Sequence, residues 1–203
     1  GNATQGATVG HGLNAPPELI IVKNRDSGSA NWPVYHKGAG AANRMYLDAG
    51  VAPSAGTNWD SQDPTSSIFN IGNNPDTNGS SNAMIAYCFS SVDGYSKIGT
   101  YTGNATADPN GEFVYLGFRP AFLLIKANSG WWNILDTGRD EYNPGKSLLF
   151  ANDSGAEYSG APNRVLFLSN GFKMLSGTSD PNSAVTHYYA AFAEHPFKTT
   201  RAF

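Results

Sequence analysis

The sequence is short of cysteine and of charge. One of its 203 residues is cysteine, 14% are charged, and the formal net charge is −3. A single cysteine excludes an internal disulfide, and the weakly acidic balance gives no reason to expect nucleic acid as a partner. No apolar run reaches the roughly 18 residues that a membrane-spanning helix needs, and no basic and then apolar leader precedes the first strand, so membrane insertion is not expected.

The one cysteine lies in an apolar stretch, Ala86-Tyr87-Cys88-Phe89. No histidine or aspartate stands beside it in the sequence, as a reactive thiol would require to lower its pKa. We therefore expect Cys88 to be a small buried residue that fills space in the core.

Motifs for catalysis are also missing. The chain has no Gly-x-Ser-x-Gly elbow and no glycine-rich phosphate loop ending in Lys-Ser or Lys-Thr. A glycosidase needs two carboxyl groups about 5 to 10 Å apart, ideally on one strand face. Asp136, Asp140 and Glu141 instead fall in one expected loop, and Asp60 and Asp63 fall in another. These are expected to be solvated loop acids, so we predict a non-enzymatic protein, with a polysaccharide-degrading glycosidase as one alternative.

Metal-binding patterns are weak. No pair of histidines has zinc-ligand spacing among His11, His36, His187 and His195. Calcium stays an open alternative, because Asp108-Pro109-Asn110-Gly111-Glu112 and Asp60-Ser61-Gln62-Asp63 offer oxygen ligands, although neither matches the twelve-residue calcium loop. Apart from calcium, no cofactor is expected.

What the chain does have is many short apolar or aromatic runs separated by Gly, Asn, Pro and Ser. Two of them are alike: both Gly12 to Lys23 and Gly117 to Lys126 contain proline, then an uninterrupted apolar run, then lysine. Such a run is typical of a strand that is buried on both faces. Short strands at intervals of about ten residues predict an all-β fold, a β-sandwich or jelly roll.

Further strands match in the same order at a spacing of about 100 residues, which predicts an internal duplication. The matched pairs are 32–36 with 131–136, 44–47 with 146–150, 67–71 with 170–174, and 84–89 with 188–193. We place the repeats at 1–94 and 95–203 and expect them to pack into one compact unit. Gly103-Asn104-Ala105-Thr106 repeats Gly1-Asn2-Ala3-Thr4, but only the second copy has an apolar stretch before it. The first repeat is therefore expected to lack its opening strand, and the chain to come from a longer polypeptide.

Aromatic side chains in or beside loops are the best functional lead. An exposed ring can stack on the apolar face of a sugar while neighbouring polar groups bind its hydroxyls. Trp32 and Trp132 occupy equivalent positions and are expected in the core or at a subunit interface, whereas Trp59 has no obvious counterpart in the second repeat and is expected to be exposed. The predicted ligand-binding residues are Trp59, Asp60, Asp63, Tyr142 and Tyr158.

The longest motifs resemble a duplicated β-domain that recurs in uncharacterised virion proteins of tailed, often marine, bacteriophages. The resemblance spans essentially the whole chain. Its motifs are His11-Gly12-Leu13, Pro17-Glu18-Leu19-Ile20-Ile21-Val22-Lys23, Trp32-Pro33-Val34-Tyr35-His36, Ala86-Tyr87-Cys88-Phe89, Gly94-Tyr95-Ser96-Lys97-Ile98-Gly99, Gly117-Phe118-Arg119-Pro120-Ala121-Phe122 and Ala190-Ala191-Phe192-Ala193-Glu194-His195-Pro196-Phe197-Lys198.

The resemblance implies a lectin-like sandwich with an extracellular place on the virion, in a tail fibre, spike or surface appendage, and it supplies no catalytic residues. The expected function is a tail-associated adhesion or receptor-binding module that recognises a host-surface glycan or joins other virion proteins. A homotrimer would be usual for a tail fibre. A capsid-decorating protein is the other non-enzymatic alternative.

Overall fold

The computed structural model describes residues 1–159, 164–177 and 181–195. These residues form fifteen strands and one four-residue helix, and every strand pairing between them is antiparallel. The predicted all-β class is therefore confirmed. None of the described helical residues belongs to a helix that could cross a membrane. The chain divides into two compact units, Gly1–Ser90 and Ser91–Phe203.

Unit 1 (Gly1–Ser90) has two antiparallel sheets. Its seven strands are β1 Ala7–Gly10, β2 Leu19–Asn24, β3 Pro33–His36, β4 Asn43–Tyr46, β5 Ser54–Ala55, β6 Ile68–Ile71 and β7 Met84–Phe89. The larger sheet has the order β5-β4-β3-β2-β7, and the smaller one pairs β1 with β6. The short helix α1, Pro75–Asn78, follows β6 and begins at Asn74, whose side chain accepts a hydrogen bond from the backbone of Asp76.

The core of unit 1 lies between these two sheets. Ile20 and Val22 of β2 belong to one buried cluster with Phe69 and Ile71 of β6. Two antiparallel layers enclosing an apolar core are consistent with a β-sandwich. Cys88 is partly buried against this cluster, and burial raises the pKa of its thiol to about 11. The expectation that Cys88 fills space in the core agrees with this position.

Unit 2 (Ser91–Phe203) has the same two-layered build with one more strand. Its strands are β8 Ser96–Thr102, β9 Phe113–Tyr115, β10 Pro120–Ala127, β11 Trp132–Asp136, β12 Leu149–Phe150, β13 Val165–Leu168, β14 Gly171–Met174 and β15 Thr186–Ala193. The larger sheet has the order β12-β11-β10-β15-β8, and the smaller has the order β13-β14-β9. Leu123 and Ile125 of β10 pack with Phe172 and Met174 of β14 in a buried cluster between the sheets.

A buried asparagine in unit 1 holds together the segment before β1 and the loop after β6. Asn78 is fully buried. Its Nδ2 donates to the Thr4 carbonyl at 3.1 Å and the Gly72 carbonyl at 3.0 Å, and its Oδ1 accepts from the Asn2 backbone N–H at 2.8 Å. The amide therefore satisfies backbone groups that the sheets leave unpaired.

Asn182 makes the same set of contacts in unit 2. Its Nδ2 donates to the Thr106 carbonyl at 2.9 Å and the Ser176 carbonyl at 2.8 Å, and its Oδ1 accepts from the Asn104 backbone N–H at 3.3 Å. The recurring Gly-Asn-Ala-Thr sequence is thus the partner of a buried asparagine in each unit.

A lysine at the end of each central strand also recurs. Lys23 lies 5.4 Å from the ring centre of Trp32, and Lys126 lies 5.7 Å from that of Trp132. Each ammonium also donates to a backbone carbonyl in the turn that follows. Lys126 and Trp132 are both buried, so Trp132 lies in the core, as its sequence position indicates.

Candidate functional site

Trp59 is not an exposed ring, and the prediction that it is exposed is wrong. Only 1% of its surface is accessible, and it belongs to the unit 1 core with Phe69. Its ring packs edge to face against Tyr35, with 6.0 Å between ring centres. The indole adds buried apolar area where the small sheet meets the large one, so in this position it cannot stack on a ligand.

The two acids beside Trp59 are tied to the protein. Asp60 accepts a hydrogen bond from the Gln5 side chain. Asp63 accepts from the Tyr35 hydroxyl at 3.2 Å and the Ala41 backbone N–H at 3.2 Å. Burial, followed by the Asp63 carboxylate, raises the pKa of Tyr35 well above its ordinary value. These contacts favour a role for both acids in holding the loop that carries Trp59.

Tyr142 and Tyr158 are exposed, and both belong to unit 2. Tyr142 is 80% exposed and Tyr158 is 50% exposed. The five predicted ligand-binding residues are therefore divided: Trp59, Asp60 and Asp63 lie in unit 1, and the two tyrosines lie in unit 2.

The two tyrosines stand on a pair of loops at the β12 end of the larger unit 2 sheet, which we call the loop surface: residues 136–148 and 151–159. Arg139 joins the two loops. Its Nε lies 2.7 Å from Asp136, and its guanidinium also reaches Glu157 at 3.1 Å. Backbone hydrogen bonds between Leu148 and Tyr158 in both directions complete the link. The ion pairs and the backbone pairing hold the exposed rings on an ordered support.

Asp140 organises the loop that carries Tyr142. Its carboxylate accepts from the backbone N–H groups of Ser147 at 2.7 Å and Lys146 at 2.8 Å. Partial burial raises the pKa of Asp140, but the Ser147 and Lys146 hydrogen bonds and nearby Arg139 outweigh burial, so the pKa lies below its ordinary value. Asp140 therefore stays ionised and keeps the loop folded back on itself.

Trp131 is a further exposed ring that the sequence prediction did not choose. It is exposed next to β11, and its ring centre lies 5.0 Å from that of Phe150 in β12. The signal was present in the sequence: side chains alternate along an extended chain, so adjacent Trp131 and Trp132 cannot both enter the same core.

The loop surface is acidic and offers no metal cluster. Residues 136–159 contain five acidic and two basic side chains, a net charge of −3. Asp136 and Glu157 share the guanidinium of Arg139 and form an ion-pair network. Across the part of the chain that the structure describes, no three His, Cys, Asp or Glu side chains gather in a way that could hold a metal ion.

Unit 1 has a groove that the sequence prediction also missed. Its volume is about 380 Å³, and it lies between the β7 edge of the large sheet and the small sheet. Apolar side chains form most of its wall, including Val9, Val22, Phe69, Met84 and Ala86. The groove lies beside β7, the outermost described strand of the large sheet.

Residues 1–196 match a protein family described as a domain of unknown function, DUF7483. No curated protein and no solved structure matches the chain. The match extends over both units and over both copies of the Gly-Asn-Ala-Thr sequence. The chain therefore belongs to the DUF7483 family of domains of unknown function.

Proposed function

We propose that the chain is a non-enzymatic binding module whose loop surface on unit 2 recognises a glycan. The observation that carries the proposal is the pair of exposed tyrosines on loops held by the Arg139 ion pairs. Tyr142 is 80% exposed, and its loop is anchored through Asp140. A solvated ring on an ordered loop provides a stacking face for a sugar at little cost in conformational entropy.

The charge of the loop surface narrows the ligand class. Its net charge of −3 repels sulfated and sialylated glycans at close range. Carboxylates accept hydrogen bonds from sugar hydroxyls, and asparagine side chains both accept from them and donate to them. The ligand we propose is therefore a neutral or amino-substituted oligosaccharide.

The remaining parts of the proposal are a duplicated, lectin-like β-sandwich of jelly-roll type and a place on the phage virion. The recurring contacts of Asn78 and Asn182 support duplication. So does the backbone of Ala3 and Ala105, whose φ values are 52° and 51°, because alanine rarely adopts the left-handed region. The resemblance of the sequence motifs to tailed-phage virion proteins supports a tail-associated, extracellular location, where trimeric assembly is common.

The experiment is a glycan array probed with the full chain, followed by calorimetric titration of the best ligand. We expect binding to neutral or amino glycans. Tyr142→Ala and Tyr158→Ala should each weaken binding about tenfold, because each removes a stacking face. The matched control is Tyr115→Ala on β9, which removes a ring that is 60% exposed but lies outside the loop surface.

Three outcomes would contradict the proposal: a blank array from the folded chain, unchanged affinity in both loop variants, or binding restricted to anionic glycans. A blank array would favour the joining of virion subunits or decoration of a capsid. Release of new reducing ends from a polysaccharide by the wild-type chain would favour the glycosidase alternative.

A further inference from the structure

The larger sheets of the two units end differently. In unit 2 the strand β15 lies between β10 and β8, whereas in unit 1 the equivalent strand β7 pairs with β2, and no described strand lies on its other side. The exposure of the strands follows this difference. Ala86 of β7, which pairs with the core residue Val22, is exposed, while the residue in the same place on β15, Tyr189, is 4% exposed.

The register of the sheets defines which residues correspond. Lys23 of β2 pairs with Ile85, and Lys126 of β10 pairs with Tyr188. Because the two lysines make the same contacts, Met84 corresponds to His187, Ala86 to Tyr189 and Tyr87 to Ala190.

In unit 2 the outer strand β8 brings one large side chain into the core. Tyr101 is buried and lies opposite His187. Its ring stacks on the His187 ring, with 4.7 Å between centres, and contacts the Phe172 and Tyr189 rings at 5.8 and 6.3 Å. Its hydroxyl donates to the Pro181 carbonyl at 2.5 Å.

In unit 1 the counterparts of these neighbours surround the groove. Phe69, Thr77, Met84 and Ala86 correspond to Phe172, Pro181, His187 and Tyr189, and all four line the 380 Å³ groove. Gly1 also lines the groove. Its counterpart in unit 2 is Gly103, the residue that directly follows β8. The groove is thus the site that Tyr101 fills in unit 2, without an occupant from the described residues.

We propose that the β7 edge and its groove bind an extended polypeptide segment with the pattern of Ser96–Thr102, in antiparallel pairing. The main chain of the segment would pair with β7, and a tyrosine opposite Met84 would enter the groove. A small residue would lie opposite Ala86, as Gly99 lies opposite Tyr189 in unit 2. Backbone pairing supplies affinity in this mode of recognition, and the alternate side chain supplies specificity.

In the test, an acetylated synthetic peptide with the sequence of Tyr95–Thr102 is titrated into the full chain. Binding is measured from the chemical-shift changes of the chain's backbone amides. We expect saturable one-to-one binding, with shifts centred on β7 and on Gly1. A second peptide, with alanine in place of Tyr101, should bind about tenfold more weakly or worse, because no side chain then fills the groove. A peptide with alternate backbone amides methylated should also lose binding, since it cannot pair along one edge.

Variants of the chain separate this proposal from glycan recognition. Ala86→Trp places a large ring in the groove at an exposed position, so it should fold normally, lose peptide binding and keep glycan binding. Tyr142→Ala should keep peptide binding.

The proposal is overturned if the peptide gives no saturable shifts at about 1 mM, or if the alanine peptide binds equally well. It is also overturned by three results together: the wild-type chain dimerises in sedimentation experiments, Ala86→Trp restores the monomer, and the wild-type chain does not bind the peptide. In that case the occupant is a second copy of the chain.

Discussion

At the scale of single residues, the environment separates side chains of the same chemical type. Trp59 and Trp131 both stand beside loops in the sequence, yet Trp59 is buried while Trp131 is exposed. Lys126 is fully buried, although lysine is rarely so. Its charge is tolerated because the ammonium donates to the Gly130 carbonyl at 3.0 Å and lies over the Trp132 ring.

The buried asparagines are expected to contribute strongly to stability. Asn78→Asp or Asn182→Asp keeps the shape of the side chain but turns an amide that donates to backbone carbonyls into a buried carboxylate facing them. Each substitution should lower the free energy of unfolding by about 3 kcal/mol. Urea denaturation measures the effect, and Asn73→Asp at an exposed position is the control. Equal stability of the three variants would contradict the structural role of the two asparagines.

His187 makes stability depend on acid pH. Burial lowers the pKa of His187 to about 4, and the backbone hydrogen bond to the Val185 carbonyl compensates only in part. In the unfolded chain the imidazole titrates near its ordinary pKa of about 6.5. The unfolded state therefore binds more protons between these two values, and stability should fall as the pH drops from about 6.5 to 4.

The full loss from this one group is on the order of 3 kcal/mol. His187→Met removes the titrating group. Methionine is also the residue that unit 1 has at the equivalent position, Met84. Denaturation at a series of pH values should show a smaller loss of stability between pH 6.5 and 4 in the variant. Parallel curves for the variant and the wild type would show that His187 does not cause the pH dependence.

At the scale of elements, the two units show what an outer strand does to its neighbour. Tyr189 of β15, a strand with two partners, is buried in the core cluster, whereas Ala86 at the corresponding place on the edge strand β7 is exposed. An unpaired edge with apolar side chains is a site for pairing with another strand. The outer strand β8, which has no described counterpart beside β7, therefore distinguishes the two large sheets.

Hydrogen exchange can test the edge position of β7. Alternate backbone amides of an edge strand point away from its single partner. For the chain alone, we expect the outward amides within Ile85–Tyr87 to exchange about 100-fold faster than amides within Tyr188–Ala190, which lie between two strands. Similar protection of the two segments would mean that the β7 edge is covered.

At the scale of the whole molecule, each unit has a core of its own. The unit 2 cluster joins β8, β10 and β15 of the large sheet with β9, β13 and β14 of the small one. The unit 1 cluster joins β2 and β3 with β6, and β1 packs against it. Unit 2 encloses its own core, and its strand β8 pairs with the outer side of β15. These are features of an independently folding domain.

We therefore expect a fragment of residues 91–203 to fold by itself. Its thermal unfolding, followed by circular dichroism, should be cooperative. The same fragment with Phe172→Ala should be less stable by about 3 to 5 kcal/mol, because that ring is fully buried in the cluster. A fragment without a cooperative transition would show that unit 2 depends on the rest of the chain.

Much of the β-architecture could be predicted because its signals are local. Proline before an uninterrupted apolar run predicted the central strands β2 and β10, and both lie inside their sheets. The matched runs 84–89 and 188–193 were predicted as equivalent strands, and they form β7 and most of β15. Less was predictable at the candidate site, because Trp59, Asp60 and Asp63 sit in a loop whose sequence does not reveal which side faces the core.

The sequence by itself determined the short strands, the tyrosines between polar turn residues, and the recurrence of Gly-Asn-Ala-Thr. These properties depend on residues that are close in the chain, through turn chemistry and side-chain alternation. Only the tertiary structure decided that Trp59 is buried, that Arg139 joins two loops, and that β7 borders a groove. Each of these depends on contacts between distant segments, and the energy of such contacts is defined only once the sheets have packed.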